Sequence, residues 1–228
     1  MNITELMRVL QFGDSMLPVG AFSFSNGLEP AIQQGVVCDV ATLREFVLTA
    51  TQQAASADGI ALLEAHRAAG ENDMAAVLLA DKAVFNRKLN EEMRTMSVRM
   101  GKKLAEMGDY VTHAPQLVTW LAHVKRAETP GTFPVGLGVL FAGLRLPEQE
   151  AFAVHQYGVA VTILGAALRL MKVNHLDTQA ILYEANAGAD GEYQRIAHAA
   201  LSDMATFAPS LDILAAVHVK SHVRMFMN

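Results

Sequence analysis

Apolar residues recur along this chain at steps of three and four, the spacing of a helix with one apolar face. The first such face begins at Ile3 and continues through Leu6, Met7 and Leu10. The longest one predicts a helix–helix seam and runs through seven positions: Phe85, Leu89, Met93, Met96, Met100, Leu104 and Met107. No convincing series of strands and turns competes with this pattern. The sequence therefore predicts an all-α protein.

Capping signals and prolines indicate where other helices begin. Thr42, with Glu45 three residues later, is typical of a capping box. Further helices are expected around Pro115–Lys125 and Val135–Leu144, from Pro147 onward, and at Tyr193–Phe207 and Pro209–Phe226, with a turn at Asn186–Gly191. The chain has no fixed repeat and no long polar linker. We therefore expect a single domain over residues 1–228, a bundle of roughly eight to eleven helices with an irregular N-terminal loop.

That loop lies within Gly13–Glu29, a segment that resembles neither a regular helix nor a solvated linker. Glycines and Pro18 interrupt the backbone, while apolar side chains provide anchors that a linker would not need. These anchors are Leu17, Val19, Phe22 and Phe24. The pattern indicates a packed, irregular segment.

Charge and cysteine content narrow the class of protein. Lys and Arg number 18 against 23 Asp and Glu, a formal net charge of −5, which disfavours binding to nucleic acid or anionic lipid. The single cysteine, Cys38, has no internal disulfide partner, which fits a reducing compartment. The first residues lack the basic end and long apolar run of a secretion signal. We expect a cytoplasmic protein.

One stretch, Phe152–Met171, approaches the length of a membrane span. It contains His155, Gln156, Tyr157 and Arg169, which are costly in hydrocarbon. We expect this helix to be buried inside protein rather than in a membrane.

Motifs for catalysis are missing from the sequence. Gly101-Lys102-Lys103 lacks the upstream glycine and the hydroxyl of a phosphate-binding loop and lies in a helical pattern. A nucleophile elbow of the Gly-x-Ser-x-Gly type is also not evident. Serines of the N-terminal loop are more simply explained as local hydrogen-bonding groups. If the protein's pathway hydrolyses a nucleotide, a partner is expected to do so.

The sequence gives more support to metal binding near the end of the chain than to catalysis. His218 and His222 are four residues apart on the expected last helix, close enough for two imidazoles to meet one cation. The alternative is a pair of core or interface histidines. Twelve methionines, enriched along the long seam, could fill a core or present an adaptable surface to a partner.

The wording of the N-terminal loop resembles the signature of the urease accessory proteins of the UreF family. The matching residues follow the family's order: Leu17-Pro18-Val19-Gly20, Phe22-Ser23, Ser25 and Gly27-Leu28-Glu29. The similarity extends over Asn90–Leu104, Phe133-Pro134 and Tyr157–Leu170 to Ala216-x-His218-x-x-x-His222-x-Arg224-x-Phe226. The chain departs from the family at Asn174-His175, where a Gly-Gln pair is common, and at Val219, where an acidic residue is usual.

The resemblance implies an all-α, dimeric protein without catalytic activity of its own. It implies partnership with UreD (also called UreH) and the GTPase UreG, in a complex that delivers nickel to urease apoprotein. Nickel and GTP would act through these partners, with no cofactor bound directly. Residues expected to shape the loop or face a partner are Pro18, Gly20, Phe22, Ser23, Ser25, Gly27, Glu29, Arg169, His218, His222 and Arg224, with Arg224 a candidate contact for UreD.

Two other functions remain open at this point. A nickel-binding chaperone would use His218 and His222, and would show metal affinity in the isolated chain. An all-helical enzyme would have a concave pocket around His155, Tyr157 and Arg169 that binds a small molecule.

Overall fold

The computed structural model describes residues 1–206, 208, 213–214, 216 and 225–227. In these residues we find no strand, and the α-helices are α1 (Ile3–Gly13), α2 (Leu28–Gln33), α3 (Val40–Ala54), α4 (Ile60–Gly70), α5 (Met74–Arg87), α6 (Glu91–Thr112), α7 (Pro115–Lys125), α8 (Phe133–Gly143), α9 (Glu148–Leu170), α10 (His175–Ala187) and α11 (Ala189–Ile196). A π-helical turn, Ala55–Gly59, joins α3 to α4, and Gly188 alone separates α10 from α11. The all-α prediction is confirmed.

Helix α8 lies at the centre of the main core, packed between α4, α6, α7 and α9. Two glycines allow its close neighbours to approach. A Cβ on Gly138 would lie 2.5 Å from the carbonyl oxygen of Leu62 in α4, and a Cβ on Gly101 of α6 would lie 2.3 Å from that of Gly131. Gly101 therefore lets α6 pack closely against the backbone that leads into α8, in agreement with the helical interpretation of its motif.

Helix α9 connects two apolar clusters. Ala151 and Phe152, near its start, belong to the main core, whereas Ile163 and Leu164 pack against α2, α3 and α10 in a second cluster. The helix is long and apolar enough to cross a membrane by length and composition, and half of its most apolar window is buried by the rest of the protein. His155 and Gln156 are buried with it. This is the packing of a core helix, as the sequence predicted.

In the first half of the chain, two sequence predictions are wrong and one helix face is placed in a way that the spacing did not indicate. Helix α3 begins one turn earlier than expected, because Asp39 is its N-cap and forms the capping box with Thr42. The apolar face of α1 is turned to solvent, and Ile3 is 81% exposed, because Val9 and Phe12 are the residues that pack inward. The long seam is interrupted at residues 88–90, where α5 ends and Asn90 caps α6, so that Leu89 lies in solvent.

In the second half, helix bounds agree better with the sequence. Helix α7 has the predicted limits, and α8 and α9 begin within two residues of them. The helix expected over Tyr193–Phe207 is shorter, since α11 ends at Ile196 and, in the described residues up to 206, a 3₁₀ turn at Leu201–Asp203 is the one helical element that follows. Most of the helix expected at Pro209–Phe226 falls outside the described residues.

Candidate functional site

The N-terminal loop, residues 14–27, owes its path to two glycines and two buried anchors. Gly20 and Gly27 have φ angles of +90° and +82°, a left-handed conformation that L side chains rarely adopt. Between them the chain makes one 3₁₀ turn and buries Phe24, while Val19 reaches the main core. The irregular loop predicted from the sequence is present, with Pro18 on its exposed side, but Phe22, which the sequence analysis expected to be an apolar anchor, is 77% exposed.

Glu29, in the first turn of α2, joins this loop to the end of the chain. Its carboxylate is 4% exposed and accepts hydrogen bonds from the backbone N–H groups of Met225 (2.8 Å) and Phe226 (2.9 Å). The backbone N–H of Met227 donates to the carbonyl oxygen of Ser23 (2.9 Å). Ser25 Oγ accepts the N–H of Glu29 (3.2 Å) and so holds the start of α2. We call residues 22–29 together with 225–227 the clasp.

Arg169, in the last turn of α9, packs against both parts of the clasp. Its guanidinium carbon lies 4.0 Å from the ring centroid of Phe22 and 4.1 Å from that of Phe226, so the cation is stacked between two aromatic faces. Both terminal nitrogens donate to the carbonyl oxygen of Phe22 (3.3 and 3.2 Å). Partial burial lowers the pKa of Arg169 from its ordinary value. The ring of Phe22 is nevertheless 77% exposed, so the clasp presents an aromatic side chain on a fixed backbone.

Beside the clasp lies a cavity of about 370 Å³, lined by residues of the N-terminal loop, the π-helical turn, α6 and α9. His155, Tyr157 and Arg169, which the sequence analysis assigned to a pocket, all line it. Asp58, on the π-helical turn, accepts hydrogen bonds from Lys88 Nζ (2.8 and 2.9 Å) and lies 3.7 Å from His155 Nε2. Burial by itself would raise the pKa of Asp58, but the Lys88 ammonium and the His155 ring outweigh it and hold the pKa well below its usual range.

The structure brings together six of the residues singled out from the sequence, namely Phe22, Ser23, Ser25, Gly27, Glu29 and Arg169. His218, His222 and Arg224 lie outside the described residues. Among the described residues, no group of three or more His, Cys, Asp or Glu side chains could hold a metal ion. Sequence reasoning missed the pairing of Asp58 with Lys88. The only signal for Asp58 was that it is one acidic residue within a stretch of otherwise small or apolar residues.

Known relatives align with the whole chain. The chain is 60% identical over 227 residues to "Urease accessory protein UreF 2" of Brucella canis, covering 100% of this chain and 93% of that protein. It is 52% identical over 228 residues to "Urease accessory protein UreF" of Yersinia pseudotuberculosis, covering both chains completely. The UreF family model matches residues 37–186.

The chain belongs to the UreF family.

Membership assigns a non-catalytic, accessory role in urease maturation. The cavity around His155 is therefore part of an accessory protein, and the enzyme alternative is set aside. The N-terminal loop precedes the residues matched by the UreF family model, yet it lies within the full-length alignments to the Brucella and Yersinia UreF proteins.

Proposed function

We propose that this UreF protein is the adaptor that joins UreD (UreH) and the GTPase UreG to apo-urease, so that nickel is inserted in a GTP-dependent step. Nickel and GTP act through the partners, and this chain supplies docking surfaces. We further propose that it works in the cytoplasm as a homodimer. Family membership supports the role in urease maturation, and the identities of the partners are our inference from the resemblance.

The observation that carries this proposal is the exposed ring of Phe22 on the clasp. Exposed aromatic residues on a fixed backbone are the usual anchors of protein interfaces, because they bury much apolar area at little conformational cost. Glu29, Ser23 and Arg169 fix the backbone from which the ring projects. Gly20 and Gly27 provide the bends, and Arg224 is kept as a proposed contact for UreD.

The first experiment replaces this ring. Phe22→Ala should weaken binding to UreD or UreG by about 10-fold or more, as loss of an interface anchor does. Binding is measured with the purified partners, and nickel-dependent activation of apo-urease is measured with each component omitted in turn. GTP hydrolysis by UreG with and without the chain then shows whether the adaptor stimulates or restrains it.

Tyr183→Ala is the matched control, since Tyr183 on α10 is 82% exposed and belongs neither to the clasp nor to the cavity lining. It should bind both partners as the wild type does. Equal partner binding by Phe22→Ala and Tyr183→Ala would refute the role given to the clasp. Full urease activation without the chain would refute the adaptor function itself.

A further inference from the structure

Helix α6 carries its outer charges in three bands, acidic, basic and acidic. From the start of the helix, these bands are Glu91 and Glu92, then Arg99, Lys102 and Lys103, then Glu106 and Asp109. The cations of the middle band are exposed. With a rise of about 1.5 Å per residue, the centre of the basic band lies about 15 Å from that of the first band and about 9 Å from that of the last. Just beyond the helix, His113 Nδ1 lies 3.8 Å from the Asp109 carboxylate.

All three bands lie on one side of α6. At about 100° per residue, their positions fall within an arc of about 120°. The buried residues of the helix, among them Gly101 and Leu104, lie on the opposite side. Arg94 is outside the arc, since its guanidinium stacks over Phe85 and donates to the carbonyl oxygen of Lys88 (2.7 Å). The bands therefore form one continuous face, which we call the charged seam.

Arg99 has cations as its charged neighbours along this face. Lys102 and Lys103 lie three and four positions after it, and like charges at these spacings destabilise a helix. In the part of the chain that the structure describes, Arg99 has no carboxylate within 4 Å, and its Nη1 contacts the sulfur of Met227 (3.6 Å). Lys103 is only loosely paired with Glu106 (3.8 Å). Pairing within the described residues does not explain the position of Arg99.

The order of the bands selects the occupant of the seam. Nucleic acid or anionic lipid would be repelled by the acidic bands on either side of the cations. A second copy of this chain is also disfavoured, because α6 laid against itself, parallel or antiparallel, brings the two basic bands together. A helix of another protein avoids both conflicts when its own bands run basic, acidic, basic.

The seam is continuous with the surface of the clasp. Arg99 contacts Met227, which belongs to the clasp, and Met96 and Met100 of α6 line the cavity beside it. At the other end of the seam, Tyr110 is 83% exposed and lies within the same arc. An exposed aromatic ring there provides an apolar anchor next to the charged bands.

We propose that the charged seam docks a single helix of a partner protein, with basic, acidic and basic bands set against the three bands of α6. This inference rests on the proposed adaptor function and deepens it, since it assigns a second contact surface and the chemistry of its occupant. The seam differs from the Phe22 anchor in position, and charge order rather than apolar burial provides its specificity.

Arg99→Glu separates docking from the stability of the helix. The new carboxylate would lie three and four positions before Lys102 and Lys103, an arrangement that stabilises a helix. The variant should therefore be at least as stable in thermal denaturation as the wild type. At low ionic strength it should bind purified UreD or UreG about 10-fold more weakly, mainly through slower association. Because Arg99 also contacts the clasp, Lys102→Glu repeats the measurement at a residue that makes no such contact. Unchanged affinity of both variants for both partners would overturn the proposal.

The double variant Glu106→Lys/Asp109→Lys distinguishes a banded helix from a uniformly anionic occupant. A helix with opposite bands should bind this variant about 10-fold more weakly, because a basic band then faces a basic band. An acidic tail or another polyanion should instead bind it more tightly. Weaker binding by both the basic-band and the acidic-band variants supports the seam, whereas tighter binding by the acidic-band variant would refute it.

The matched control is Lys82→Glu/Lys125→Glu, which has the same net charge as Arg99→Glu/Lys102→Glu. Lys82 on α5 and Lys125 on α7 are exposed and lie outside α6. The control should bind the partners as the wild type does, and an equal loss in both double variants would refute the seam in favour of net charge. Normal binding by Arg99→Glu/Lys102→Glu would refute the seam and leave the adaptor function intact. Failure of the wild type to bind either partner would refute the adaptor function and, with it, the role of the seam.

Discussion

Glu29 lies where the N-terminal loop enters α2. The two oxygens of its buried carboxylate accept hydrogen bonds from the backbone N–H groups of Met225 and Phe226, which lie almost 200 positions further along the chain. Hydrogen bonds to a charged acceptor contribute about 1.5–3 kcal/mol each. The stacked Arg169 guanidinium holds the aromatic rings on either side, and among the described residues it is Glu29 that accepts hydrogen bonds from the backbone of residues 225–226.

Glu29→Gln removes the charge and turns one acceptor into a donor. Amide hydrogen exchange at Met225 and Phe226 should become about 10- to 100-fold faster, which corresponds to the loss of one charge-assisted hydrogen bond. Hydrogen exchange with mass spectrometry of the C-terminal peptide measures this. Glu91→Gln, an exposed residue at the start of α6, should leave these amides unchanged. Unaltered exchange in Glu29→Gln would show that the carboxylate does not hold the clasp.

At the scale of elements, the start of α8 depends on a side chain from α5. Asp81 is fully buried and accepts hydrogen bonds from the backbone N–H groups of Gly131 and Thr132 (both 2.8 Å) and from the hydroxyls of Thr129 and Thr132. The N-cap residue of α8, Thr132, makes no side-chain capping bond of its own. The Asp81 carboxylate therefore accepts the backbone N–H groups at the start of α8, as the side chain of a local N-cap residue does at other helices of this chain.

Asp81→Ala should lower the free energy of unfolding by on the order of 3 kcal/mol, because each buried donor left unsatisfied costs about 1–3 kcal/mol. Asp73→Ala removes an ordinary exposed cap, that of α5, and should cost about 1 kcal/mol. Urea denaturation of both variants gives the comparison. Equal losses would mean that the buried network contributes no more than a surface cap.

At the scale of the molecule, Glu148 ties α9 to α4 and α11. Arg67 donates two hydrogen bonds to its carboxylate (2.6 and 2.7 Å), and the hydroxyl of Tyr193 donates a third (2.8 Å). Burial by itself would raise the pKa of Glu148, but the hydrogen bonds from Arg67 and Tyr193 outweigh it and lower the pKa below 4.5. Burial together with the same carboxylate raises the pKa of Tyr193 to about 12.

A lowered pKa in the folded state means that the unfolded chain binds more protons as the pH falls. The stabilisation from Glu148 is therefore fully present above about pH 5 and is lost progressively as the pH falls below 4.5. Glu148→Gln should lose about 1–3 kcal/mol at pH 7 and show a weaker decline in stability between pH 5 and pH 3. Denaturation at a series of pH values measures both effects. Glu71→Gln, at the exposed end of α4, should keep the wild-type pH profile.

Helical periodicity and the loop signature were sufficient to predict an all-α fold, the limits of α7 and the family. They succeed because the helical repeat and a local turn depend on residues within a few positions of one another. The same patterns misplaced the start of α3, where Asp39 lay one turn before the expected cap, and they joined α5 to α6 across Asn90.

By itself, the sequence determined that the fold is all-α, where the backbone can bend at Gly20 and Gly27, and to which family the chain belongs. Only the tertiary structure decided that the apolar face of α1 is left in solvent, that Glu29 meets Met225 and Phe226, and that Asp58 lies beside His155. The physical reason is the distance along the chain over which each kind of interaction acts. Local hydrogen bonds and side-chain spacing act over three or four residues, whereas these contacts join positions about 100 to 200 residues apart and exist only once the helices have packed.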